Sequence, residues 1–76
     1  MKEDDRITTI GNYVRDHPGE KVGVVTDDEP GKPERYIRKL TTRFECVEIL
    51  ESLRGPTAGM WTITVKHKGI PLKKAN

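Results

Sequence analysis

Residues 19–31 read GEKVGVVTDDEPG, and the conformation of the first half of that stretch decides the fold. Val22, Val24 and Val25 favour a strand by propensity, whereas Val22 and Val25 alone also fit one face of a short helix. On the residues themselves both readings stay open. The second half is plainer, because Asp27, Asp28, Glu29, Pro30 and Gly31 supply turn chemistry that closes the segment.

Upstream, Glu3-Asp4-Asp5 suits a helix N-terminus, where carboxylates meet unpaired amides and the positive end of the helix dipole. Ile7, Ile10 and Val14 follow at helical spacing with Tyr13 beside them, and Pro18-Gly19 stops the run, which predicts a first helix over about residues 4–16. Gly11 inside it costs roughly 1 kcal/mol relative to alanine. Downstream, Pro33 fits a first helical position and Glu34 complements the dipole. Ile37, Leu40, Phe44 and Val47 then recur as one stripe, which leaves Arg35, Arg38, Lys39 and Thr42 on the opposite side, flanked by Lys32 and Arg43. Beyond that helix, Ile49, Leu50 and Leu53 lead into a Gly55–Gly59 loop. In MWTITVKHKG, Trp61, Ile63 and Val65 alternate with Thr62, Thr64 and Lys66, the period of a half-buried strand, so the two runs form a hairpin. The tail from residue 69 to 76 is expected to be loose.

A chain of 76 residues holds one domain with a lean core: 33% of its residues are hydrophobic and 34% charged. The single Cys46 has no partner within the chain, and no leader-like or spanning apolar run is present, so a reducing cytoplasm is the default location. The net charge of +2 conceals an asymmetry. Residues 1–29 carry four Lys or Arg against eight Asp or Glu, and residues 30–76 carry ten against four. Charge segregated in this way suggests a polyanion partner on one side of the fold.

Helix, short element, turn, basic helix and hairpin follow one another as they do in winged helix-turn-helix domains. YVRDHPGEKV resembles the end of a first helix and the start of a second, FECVEILES the junction from recognition helix to wing strand, and RGPTAGMWTI a wing returning through an aromatic strand. In length and ending the chain is similar to the fimbrial-operon transcription regulators, which are single winged helices. The resemblance covers roughly residues 5–66 and implies an α+β winged helix-turn-helix domain, three helices followed by a two-stranded β-hairpin wing, filling residues 1–76 with an ordered core over about 4–67. It makes Val22 to Asp28 a helix against local preference and residues 33–45 the recognition helix in a major groove.

The implied function is sequence-specific binding of double-stranded DNA by a small transcriptional regulator. Its contacts would come from Arg35, Arg38, Lys39, Thr42 and Arg43 on the recognition helix, from Lys32 just before it, and from Arg54 and Lys66 in the wing, because arginine offers paired donors to guanine or phosphate and lysine a point charge. The competing reading of the helix is an ordinary solvated face, and that of the wing a flexible, solubilising hairpin tip. A lone winged domain contacts few base pairs, so a homodimer or a larger DNA-bound protein is the expected companion. His17, His67 and Cys46 have no metal-ligand spacing, Ser52 lacks a nucleophile elbow, and no phosphate loop is present, so the reading is of a binding protein with no cofactor, small-molecule substrate or membrane partner. Two rivals stand beside it: a winged helix used for protein–protein interaction, and a small barrel with EKVGVV, RYIRKL, RFECVEIL and MWTITVKH all as strands.

Overall fold

Val22 to Thr26 resolves as extended chain, and that outcome sets the topology. A computed structural model of the chain describes residues 2–69; the tail beyond Gly69 lies outside them. The elements run α1 (Glu3–Asp16), β1 (Val22–Asp27), α2 (Lys32–Arg43), β2 (Val47–Arg54) and β3 (Met60–His67). β3 lies between the other two strands in the order β1-β3-β2, antiparallel to both.

Burial along β1 has period two: Val24 and Thr26 are buried and Val22 is half-buried, while Gly23, Val25 and Asp27 face outward. Three of its six residues are valine and one is threonine, side chains that suit a pleated surface. A helix over the same six residues would be too short to sustain itself and would carry Gly23 in its interior. Pairing with β3, Val24 opposite Ile63 and Val22 opposite Val65, satisfies the backbone instead.

The winged helix-turn-helix arrangement is therefore overturned. The domain has two helices where three are expected and a three-stranded sheet where a two-stranded wing is expected. The helix expected to read DNA over 33–45 is the second helix; it ends at Arg43, since Phe44 is already extended. The barrel fails as well, because RYIRKL lies within α2.

Both helices pack on one face of the sheet. Ile7 and Val14 of α1, Tyr36 and Leu40 of α2, Val24, Val47, Ile63 and Val65 form the core. The inward stripe of α2 is rotated from the one expected: Pro33, Tyr36 and Leu40 are buried, Ile37 is half-buried, and Val47 belongs to β2. Gly31 begins α2 in the left-handed region at φ 83°, and the preceding turn is fixed by the Asp27 carboxylate, which accepts the Glu29 amide at 3.0 Å and the Lys32 ammonium at 2.8 Å.

Gly11 explains its own cost. A Cβ built there would stand 2.1–2.4 Å from the Phe44 ring, so the glycine is a slot that lets the ring lie against α1. Alanine favours helix by about 1 kcal/mol, yet overpacking this contact costs about 1–3 kcal/mol. Gly11→Ala is expected to lower the urea midpoint; a midpoint at or above that of the wild type contradicts the contact.

Candidate functional site

The two sides of the domain offer different chemistry. On the helix side, the acidic first turn of α1 lies along the cationic face of α2. Arg35 donates through Nε and Nη2 to both oxygens of Glu3, at 2.7 and 2.8 Å. Lys39 reaches Glu3 at 3.0 Å and Asp4 at 2.7 Å, and Arg43 reaches Asp4 at 3.3 Å. The paired guanidinium, then the Lys39 ammonium, holds the Glu3 carboxyl down at about 2. Asp4 is lowered mainly by Lys39, whose own pKa is raised by Asp4 and Glu3; that of Arg35 is raised mainly by Glu3.

The remaining residues read as DNA contacts are distributed as follows. Lys32 pairs with Asp27 in the turn. Arg54 pairs with Asp28 at 3.0 Å and its guanidinium sits 5.6 Å from the centre of the Trp61 ring. Lys66, its side chain only 15% exposed, meets Glu48 at 3.2 Å. Six of the eight are thus ion-paired within the chain, and only Arg38 and Thr42 have side chains without a hydrogen bond or ion pair among the described residues. Arg38, Lys39, Thr42 and Arg43 border a shallow hollow of about 280 Å³ on the outer side of α2. Sequence reasoning passed over Arg6. Its guanidinium lies 5.6 Å from the Tyr36 ring centre and donates to the Val25 carbonyl, joining α1, α2 and β1.

On the other side, nothing covers the sheet among the described residues. The register places Val25, Thr62 and Leu53 in one row across the three strands and Gly23, Thr64 and Glu51 in the next. Val25 and Leu53 are 37% and 49% exposed. The pairing of β2 slips between Ile49 and Glu51, so Leu50 is the extra residue of a bulge. It borders a hollow of about 500 Å³ with Lys21, Gly23, Glu51 and Thr64. The adjacent apolar pair Ile49-Leu50, which breaks period two, is the one sequence signal of this feature.

No group of three or more His, Cys, Asp or Glu among the described residues is placed to hold a metal ion, and no helix there is long and apolar enough to cross a membrane.

Because the Glu3 carboxyl ionises at a lower pH in the folded chain than its ordinary 4.5, its contribution is full above that value and is lost as pH falls from there towards 2. Thermal melts are expected to be flat with pH above about 5 and to decline below about 4.5, with a shallower decline in Glu3→Gln. An identical acid profile in the variant contradicts the Arg35 fork. Comparison of the chain with protein-family models, with curated proteins and with solved structures found no match.

Proposed function

We propose that the chain is a protein-interaction module that binds through the uncovered face of its sheet. The observation that carries this reading is the row Val25–Thr62–Leu53, which leaves two large apolar side chains in water beside the bulged Leu50. Antiparallel sheets commonly keep one face wet, but that face is then polar. Here the charged groups lie outside that row, with Lys66 neutralised by Glu48, Asp27 by Lys32, and Lys21 and Glu51 flanking the hollow, while the central strand otherwise adds only the hydroxyls of Thr62 and Thr64.

The occupant this face suits is a protein surface that is flat, apolar at its centre and mixed in charge at its rim. Nucleic acid suits it poorly, since Glu48 and Glu51 would face phosphate and the open side of the strands carries no aromatic ring on which a base could stack.

A photo-cross-linking amino acid placed at Leu53 is expected to form protein adducts in living cells, and the added substitution Val25→Lys is expected to abolish them. Both positions are exposed, so melting should change little, within about 0.5 kcal/mol. The same probe at Arg38 is the control. Adducts from Arg38 alone would overturn the assignment of the sheet face.

A second reading retains double-stranded DNA as partner, and Arg38 and Thr42 beside the hollow on α2, unpaired among the described residues, favour it. In that case Glu3 and Asp4 compete with phosphate for Arg35, Lys39 and Arg43. Glu3→Gln with Asp4→Asn is then expected to tighten binding to duplex DNA, with a steeper dependence on salt. Unchanged, unmeasurable binding in both proteins removes this reading.

A further inference from the structure

Gly23 is unexplained by the chain that contains it. Its φ is not positive, and a Cβ added there would meet nothing within 4 Å, so neither the backbone nor the packing of the domain requires glycine. A glycine inside a strand costs stability and often marks a place where another backbone or side chain approaches closely. Directly across Thr64 from Gly23 is the opposite kind of feature, the bulge in which Leu50 stands as an extra side chain beside Glu51. The hole and the knob lie at the same level along the sheet, on its two outer strands.

We propose that the sheet face receives a second copy of the chain, packed face to face about a two-fold axis running along β3. The inference rests on the sheet face being the interaction surface and adds the identity of the occupant. Because β3 is the central strand, rotation about such an axis carries β1 of one copy over β2 of the other while preserving each residue's level along the strands. Val25 of each copy then meets Leu53 of the other, and Thr62 and Thr64 meet their own counterparts near the axis. The space left by Gly23 receives Leu50 of the second copy. Lys21 lies two residues before Gly23, which is at the level of Glu51, so its long side chain reaches Glu51 of the second copy from one pair further along the strand. The two, oppositely charged and without an ion-pair partner among the described residues, meet twice, once on each side of the axis. The remaining charges on the face are already paired, Asp27 with Lys32 and Lys66 with Glu48; Lys66 lies on the central strand and so near its own counterpart, where the Glu48 carboxylate beside each ammonium offsets the repulsion.

Strands of six and eight residues, three in all, offer a face smaller than the roughly 800 Å² per partner of a standard interface, so a dissociation constant on the order of 100 µM is expected. Sedimentation velocity from about 10 µM to about 1 mM measures association in that range. Lys21→Glu and Glu51→Lys each convert two attractions into two repulsions, and each alone is expected to weaken self-association about tenfold or more. An equimolar mixture of the two variants is expected to recover it, because every contact between unlike chains again joins opposite charges. Gly23→Val fills the hole with a residue that favours strands; it is expected to melt at or above the wild-type temperature and to remain monomeric.

A wild type that is monomeric throughout the range overturns the second copy as occupant. It leaves the sheet face itself to be decided by cross-linking at Leu53. Wild-type dimers that persist in Gly23→Val, with no recovery in the mixture over the single variants, show association through another surface and overturn the proposed axis.

Discussion

The antiparallel pairing of Val22–Asp27 with Met60–His67 is the constraint on which the rest of the structure depends. Once β1 is a strand, β3 is central, and Val22, Val24 and Thr26 share a face with Ile63 and Val65. Both helices must then cover that face, because it holds nearly all of the buried apolar surface. Ile7, Val14, Leu40, Ile63 and Val65 are the largest fully buried side chains, and burying each contributes roughly 1.5–3 kcal/mol. The ion pairs between α1 and α2 are half-exposed and salt-screened, so they are secondary as a source of stability. Their effect is on geometry: with Gly11 admitting the Phe44 ring, they fix how α1 lies along α2.

Much of this was legible in the residues. The first helix, the Asp27–Gly31 turn, the basic helix and the final hairpin all carry strong local signals of period, punctuation or capping, and they form close to where those signals place them. The segment over residues 22–27 was not, because two apolar patterns overlap in it and choosing between them requires knowing that β3 has a free edge. That is tertiary information. Following the order of a winged helix-turn-helix gives the choice to the helix, and the chain takes the alternative that its β-branched residues favour locally. The stripe on α2 is rotated for a related reason: Val47 extends the helical spacing by coincidence, and Tyr36 is buried more deeply than Ile37, which packs against the core from its margin.

Charge was the feature most easily misread. An acidic first third and a basic remainder suggest an external polyanion when seen as a string. In the folded chain Glu3 and Asp4 lie against Arg35, Lys39 and Arg43, and Asp27, Asp28 and Glu48 take Lys32, Arg54 and Lys66. Much of the asymmetry is thus complementarity between parts of one molecule. Beside a few unpaired charges such as Arg38, Lys21 and Glu51, an apolar feature is left over among the described residues: an open sheet face with Val25, Leu50 and Leu53 on it, next to a glycine that the domain does not itself need. Those residues carried weak signals because exposure of one sheet face is decided by where both helices go.

The measurement that tests this account most directly is a set of nuclear Overhauser contacts across the sheet. The account predicts side-chain contacts from Val24 to Ile63 and from Val22 to Val65, backbone contacts between Gly23 and Thr64, and no sequential helical pattern over residues 22–27. Helical contacts between residues three apart in that segment, with none to β3, would remove the third strand, restore the apolar faces of the hairpin to other partners and contradict the account.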